Sequence, residues 1–389
     1  MASLEAAFDV FLEHYVARKH GIGKFLHLLC RVKTTCRALQ QSVAHFQALE
    51  RHLPLCNLTW RLHSVDDDMV LAISRAYPNL TSISIPKGES GICRITHASM
   101  QIIATAYPQL ESFRLYGGAP GVSGAVALAR GCPRLKRLTW RVDDCSQLNV
   151  SAASLAMGLS HLTHVELSDS SLHKLSAGTM VALGLACPDL QHLTVSGCHI
   201  EDDAFIHPWP SLLLLRIDHT AVRGYIPTGT FPKLRRLGCC HCHSLNSTAV
   251  LGLLSDLAAG LECLHLEGSC AVDDAFVRAM TSSVPGLCEL SLGHDENDGR
   301  SRFLTEKGGS HLVRNLPELH TLIMRHTGTA LGDAIVDEVA QPGSKLEVLQ
   351  LGKASNEALD RARSRAKRWP TIHCVETNGN QRKLSYCDR

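Results

Sequence analysis

Aromatic side chains are scarce: Phe, Tyr and Trp make up 5% of the 389 residues, against 45% for hydrophobic residues as a whole. A core of that composition is built from layers of Leu, Ile, Val and Ala. Charge of one sign is also lacking. The formal net charge of +2 gives no global case for nucleic acid or a membrane surface, so any electrostatic function sits in local patches. No apolar run is long enough to span a bilayer. Met1 to Val16 carries Glu5, Asp9 and Glu13 and no basic stretch before an apolar core, unlike a signal or transit peptide. The 16 cysteines therefore read as reduced and mostly buried, and the expected location is cytoplasmic or nuclear. There is no Gly-rich phosphate loop, nucleophile elbow or paired catalytic carboxylate. The 22 histidines are scattered without a fixed relation to Cys or Asp. The expectation is a chain with no catalytic residue, no cofactor and no bound metal.

What the sequence has is repetition. The spacing Leu-x-x-Leu-x-Leu returns eleven times, starting at Leu80, Leu110, Leu135, Leu162, Leu190, Leu212, Leu234, Leu261, Leu287, Leu319 and Leu346. A degenerate copy begins at Leu55, and Ile372 starts a last one. Steps run from 22 residues (Leu190 to Leu212) to 32 (Leu287 to Leu319). Nine copies are announced by an apolar residue or Cys followed by Pro, from Tyr77-Pro78 to Trp369-Pro370. A period in this range means stacked leucine-rich repeats. The expected fold is an α/β solenoid, curved, with parallel strands on its concave face and a small helical cap at the N-terminus. Residues 1–54 form the cap, 55–377 about twelve repeats, and 378–389 a polar tail.

The repeat from Leu261 shows the grammar. Leu264 and Leu266 point inward from one strand because side chains alternate with period two. Asp273 or Asp274 is placed to cap the next helix, where Phe276, Val277 and Met280 follow at helical spacing. Val284-Pro285 then ends that helix. Val65 to Asp68, Ile95 to His97 and Ile200 to Asp203 are read in the same way, each preceding a helix-like stretch. The two 22-residue steps after Leu190 and Leu212 leave little room for a helix, and Pro208, Pro210, Pro227 and Pro232 oppose one. Extended or 3₁₀ turns are expected there. The 32-residue step carries an insertion from Gly293 to Phe303, expected to be an exposed loop.

Cys132-Pro133-Arg134-Leu135 and Cys187-Pro188-Asp189-Leu190 resemble the cysteine-containing leucine-rich repeat, C-P-x-L-x-x-L-x-L-x-x-C-x-x-I-T-D. Cys198 and Cys242 fall on its second cysteine. That subtype is typical of F-box proteins of the leucine-rich-repeat kind, substrate receptors of cullin–RING (SCF-type) ubiquitin ligases. Thr35 to Leu39 is similar to the F-box stretch V-C-K-x-W, and Leu53 to Trp60 resembles its exit into the repeats, while the opening L-P-x-E is missing and Gly21 and Gly23 interrupt the middle. The resemblance implies docking on a Skp-type adaptor through apolar residues, with Phe11, Leu12, Phe25, Leu29, Val32 and Cys36 as candidates. The alternative is a plain helical cap shielding the first repeat, on a structural scaffold of a cytoskeletal, ciliary or ribonucleoprotein assembly.

Strand alternation assigns the third, fifth and seventh places of each repeat to the concave face. Arg61, Arg114, Tyr116, Arg137, Arg141, His164, His192, Arg216 and Arg236 lie there, all in the earlier repeats. The later repeats present His265, Glu267, Glu289 and Ile323, with Arg325 near the end. Arginine bonds oxyanions in pairs through its planar fork, so the earlier face suits an acidic or phosphorylated protein segment. Nucleic acid is disfavoured, because stacking aromatics are few. Cys239-Cys240-His241-Cys242-His243 resembles a zinc cluster, but neighbours on one strand point apart and two of its thiols already fill core positions. Asp295 to Glu306 has the length of a calcium loop and fails in the middle, with Gly299 at a ligand position and Arg300 where the turn needs Gly. The basic run Arg361, Arg363, Arg365, Lys367 and Arg368 reads as a solvated helix face.

Overall fold

The structure is a computed structural model. It describes residues 52–54, 66–85, 93–142, 148–169, 174–201, 203–219, 221–222, 227–242, 245, 247–257, 260–268, 272–293, 304–324, 328–341, 343–365, 371–375 and 381–384. All but the last three residues of the expected helical cap, most of the Gly293–Phe303 insertion, Arg325, Lys367 and Arg368 lie outside them; the last three, His52–Pro54, form a strand. The chain divides into two compact units, Met1–Leu190 and Gln191–Arg389.

In the first unit the order is β1 (His52–Pro54), α1 (Asp67–Ala76), β2 (Ser82–Ile85), α2 (His97–Ala106), β3 (Ser112–Tyr116), α3 (Gly121–Gly131), β4 (Arg137–Val142), α4 (Leu148–Gly158), β5 (His164–Asp169), β6 (Lys174–Leu175) and α5 (Ala177–Ala186). Strands β1 to β5 are parallel and paired in chain order. Each successive helix packs on the one before it. This is a leucine-rich-repeat solenoid.

The second unit runs β7 (His192–Ser196), β8 (His199–Ile200), β9 (Leu214–Asp218), β10 (Ala221–Val222), β11 (Arg236–Cys240), α6 (Ser247–Asp256), β12 (Cys263–His265), α7 (Asp274–Ser283), β13 (Glu289–Ser291), α8 (Glu306–Asn315), β14 (Thr321–Met324), α9 (Thr329–Val339), β15 (Val348–Leu351), α10 (Asn356–Arg365), β16 (Thr371–Val375) and β17 (Gln381–Leu384). Its long strands are parallel from β7 to β16 by way of β9 and β11 to β15. The segment expected as a polar tail supplies β17, which pairs antiparallel with β16.

All eleven repeat-starting leucines are buried. The announcing residues are buried too: Tyr77, Tyr107, Cys132, Cys187, Val284 and Leu316 each form the C-cap of a helix, just before the proline that prevents its continuation. Buried thiols serve the same junctions. Cys132 donates to the carbonyl of Tyr107 (3.5 Å) and Cys187 to that of Leu159 (3.6 Å). Burial pushes their thiols up to about 12 and about 11 respectively. Seven of the nine cysteines with described side chains are buried, in line with the reading of buried core thiols.

Helix starts follow local chemistry. Asp66, Thr96, Ser176, Asp273 and Thr305 stand at N-caps, and each side chain accepts from a backbone N–H in the first turn. A second set of bonds then ties repeat to repeat. Asp67 accepts from the N–H (3.0 Å) and hydroxyl (2.6 Å) of Thr96, the next helix's cap. Asp274 holds Thr305 and Asp333 holds Ser355 in the same way, and Asn149 accepts from the N–H of Ser176 and the hydroxyl of Thr179.

Among the described residues the two short repeats carry no helix between their long strands. Parallel β8 and β10 take that place, as the prolines required. Ile200 to Asp203 was expected to precede a helix; instead Asp203 has a φ of 67° and starts a turn. A capping signature without a following stretch of uninterrupted helix formers makes a turn, and Pro208 closes off the alternative. Scarce aromatics are concentrated here. Phe205 and Phe231 meet edge to face at 5.6 Å, and Trp209 is buried, filling the layer that Leu and Ala of a helix occupy elsewhere.

Candidate functional site

Side chains alternate along each strand, so one set packs under the helices and the other emerges on the open sheet face. In β3 the pattern is clear: Phe113 and Leu115 are buried, Arg114 is exposed and Tyr116 half-exposed. Every predicted face residue within the described set lies on such an outward position. Arg61 and all six candidate adaptor residues, Phe11, Leu12, Phe25, Leu29, Val32 and Cys36, lie outside the described residues.

In the first unit, register sets Tyr116 beside Arg141, Arg114 beside Thr139, and Arg137 beside His164. The Arg141 guanidinium stands 5.3 Å from the centre of the Tyr116 ring. It also donates from Nε to Glu166 Oε1 at 2.8 Å, and from Nη2 to the same oxygen. The other carboxylate oxygen of Glu166 accepts from Thr139 (3.1 Å). Glu166 was passed over in the sequence, although it occupies the fifth place of its repeat; register makes it the counter-ion of the stripe. Arg114 and Arg137 are exposed and make no ion pair among the described residues.

In the second unit Arg216 pairs with Asp218 two residues along β9, a partner also missed. Arg236 is exposed on β11. His192 adds no positive charge at neutral pH: burial, and then Arg236, holds its imidazole below the ordinary range. The expected basic stripe thus carries carboxylates within each unit, Glu166 in the first and Asp218 in the second. Two of its arginines are engaged by carboxylates, while Arg114, Arg137 and Arg236 remain exposed without an ion pair among the described residues. Cys240 is half-buried. Its thiol is pushed up to about 11 by burial, then by Asp218 and Glu267. His241 stacks flat on His219, centroids 4.5 Å apart.

Further along the same face of this unit, Cys263 and His265 project together from β12, and Glu289 on β13 is the register partner of Cys263. Cys263 Sγ lies 3.3 Å from His265 Nε2, and Glu289 Oε1 lies 3.1 Å from that same nitrogen. A nucleophilic triad needs the base to face the nucleophile with one nitrogen and its orienting acid with the other. Here one nitrogen faces both. The thiol is pushed up to about 12 by burial and then by Glu289, the reverse of an activated nucleophile.

The chain matches no protein-family model, and no curated protein is similar to it in sequence. Among solved structures it is similar to a chain of the crystal structure of the Rad7 and Elc1 complex in yeast, with a TM-score of 0.49 and 15% identity over 94% of this chain and 96% of that one. It is also similar to an internalin from Listeria monocytogenes, with a TM-score of 0.42 and 16% identity over 76% of this chain and 81% of that one. No helix among the described residues is long and apolar enough to cross a membrane.

Proposed function

We propose that the chain is a non-catalytic protein-binding module, and more specifically a substrate receptor of a cullin–RING ubiquitin ligase. The strand face would hold the substrate, and residues 1–54 would dock on a Skp-type adaptor. Such a receptor acts by raising the effective concentration of one bound partner near another. The observation that carries the binding role is the strand face itself. Its repeats present Arg114 and Arg137 exposed and without ion pairs among the described residues, over a core that is otherwise filled. The adaptor role is supported by the repeat subtype around Cys132 and Cys187 and by the Thr35 to Leu39 stretch. An acidic or phosphorylated protein segment is the substrate class that exposed guanidinium groups favour.

The test is a pull-down of the full chain with purified Skp adaptor, beside a Leu29→Asp/Val32→Asp variant whose folding is checked by circular dichroism. Binding by the native chain and its loss in the folded variant is the expected result. Absence of binding by the native chain would remove the ligase assignment and leave the scaffold reading. On the substrate side, Arg114→Ala/Arg137→Ala should abolish capture of cellular partners. Arg141→Ala should weaken it less, since that guanidinium is already committed to Glu166.

A further inference from the structure

We propose that Cys263, His265 and Glu289 form a zinc site on the exposed strand face of the second unit. Their ligand atoms, one sulfur, one nitrogen and one carboxylate oxygen, all lie within 4.8 Å of one another. Alternation along β12 puts Cys263 and His265 on the same side, and the parallel register with β13 sets Glu289 directly beside Cys263. The constellation is thus fixed by backbone geometry, with two ligands from one strand and one from its neighbour.

The distances fit a shared cation. Zinc bonds of about 2.3 Å to sulfur and about 2.0–2.2 Å to nitrogen and oxygen, spread at tetrahedral angles, separate sulfur from its neighbours by roughly 3.5–3.7 Å and nitrogen from oxygen by roughly 3.3–3.5 Å. The observed separations are 3.3 Å for sulfur to nitrogen and 3.1 Å for nitrogen to oxygen, so small side-chain rotations centre an ion. Without a cation the Cys263 thiol donates to the Glu289 carboxylate, which also lies 3.1 Å from His265 Nε2. A divalent ion lets all three atoms point lone pairs at one centre.

The donor set selects the metal class. A thiolate among the ligands disfavours magnesium and calcium, and mixed sulfur, nitrogen and oxygen donors in a tetrahedron suit zinc. Binding releases one proton, from the Cys263 thiol. His265 contributes Nε2 through its lone pair, and Glu289 contributes a carboxylate oxygen. Thiolate and carboxylate together balance the two charges of the ion. Beyond the ligands the surrounding charges are mixed: Asp218, Glu267 and Arg216 act on the neighbouring Cys240, and Arg236 acts on Cys263. His265 and Glu289 are about one third exposed, which leaves the fourth position for water.

The experiment uses the full chain, stripped with chelator and titrated with Co²⁺ as the spectroscopic probe, then with Zn²⁺ in competition. The expected result is one tight cobalt per chain with a thiolate-to-cobalt absorption band, displaced by zinc. Cys263→Ser should abolish that band. Glu289→Gln, an isosteric change at a partly exposed side chain, should weaken affinity by more than the roughly 10–100-fold typical of outer-shell losses, with circular dichroism as the check on folding. Cys288→Ser alters a nearby thiol on the opposite side of the strand and should leave the band unchanged. Absence of the band in the native chain overturns the site, as does a band that survives both Cys263→Ser and Glu289→Gln or that Cys288→Ser removes. None of these outcomes depends on adaptor binding, so the site and the ligase reading stand or fall separately.

Discussion

Single carboxylates do two jobs in this chain, and only one is local. Asp66 and Asp273 cap their own helices; Asp67 and Asp274, one residue on, hold the next repeat's capping threonine. Burial alone would raise the Asp67 carboxyl, but hydrogen bonds from Ser99 and Thr96 outweigh it and hold it below the ordinary value. Asp274 is lowered in the same way, with Thr305 as donor. A carboxyl depressed in the fold contributes stability above its unfolded value and loses it as pH falls through the folded one. The native chain should therefore lose stability below about pH 4 through these two groups. Asp67→Asn and Asp274→Asn should each cost about 1 kcal/mol at pH 7, discounted for partial solvation, and flatten that acid limb. Thermal unfolding over a pH series checks both. The capping role was legible in the sequence, since it needs only three residues of context. The bond to the next repeat was not, since it depends on how one helix start lies against another some 30 residues on. The mixed charge of the strand face was hidden for the same reason: Glu166 meets Arg141 through register, 25 residues apart.

Between elements, the repeats are spaced so closely that some helix positions admit no side chain. Gly332 in α9 is the sharpest case. A Cβ there would stand 1.8 Å from the carbonyl oxygen of Lys353, which belongs to the turn after β15. Gly332→Ala should destabilise the chain by about 2–3 kcal/mol, because backbone rather than a flexible side chain has to give way. Denaturant unfolding would show a lower midpoint, and an unchanged midpoint would mean that the turn shifts freely. The helices themselves were readable from spacing and punctuation, with Asp273 opening α7 and Val284-Pro285 closing it. The Ile200 to Asp203 segment misled because its acidic run has the form of a cap, whereas tertiary packing of Phe205, Trp209 and Phe231 favours a turn.

Across the whole molecule, buried thiols rather than disulfides account for much of the cysteine content. With seven described thiols buried out of 16 in the sequence, a thiol reagent should label at most nine in the native chain and all 16 after denaturation. Labelling of more than nine at neutral pH in the folded protein would overturn the assignment of those thiols to the core. What the sequence by itself determined was the repeat class, the buried leucines, which strand residues face outward, and the order of strands and helices apart from the Ile200–Asp203 turn and β17. Those depend on periods of two, of 3.6 and of one repeat length, all properties of the chain read along its own direction. The tertiary structure decided which side chains meet across neighbouring strands. Only parallel register puts Glu289 against Cys263 and His265, or Glu166 against Arg141, because an ion pair or a metal site is set by distances of a few ångströms between repeats.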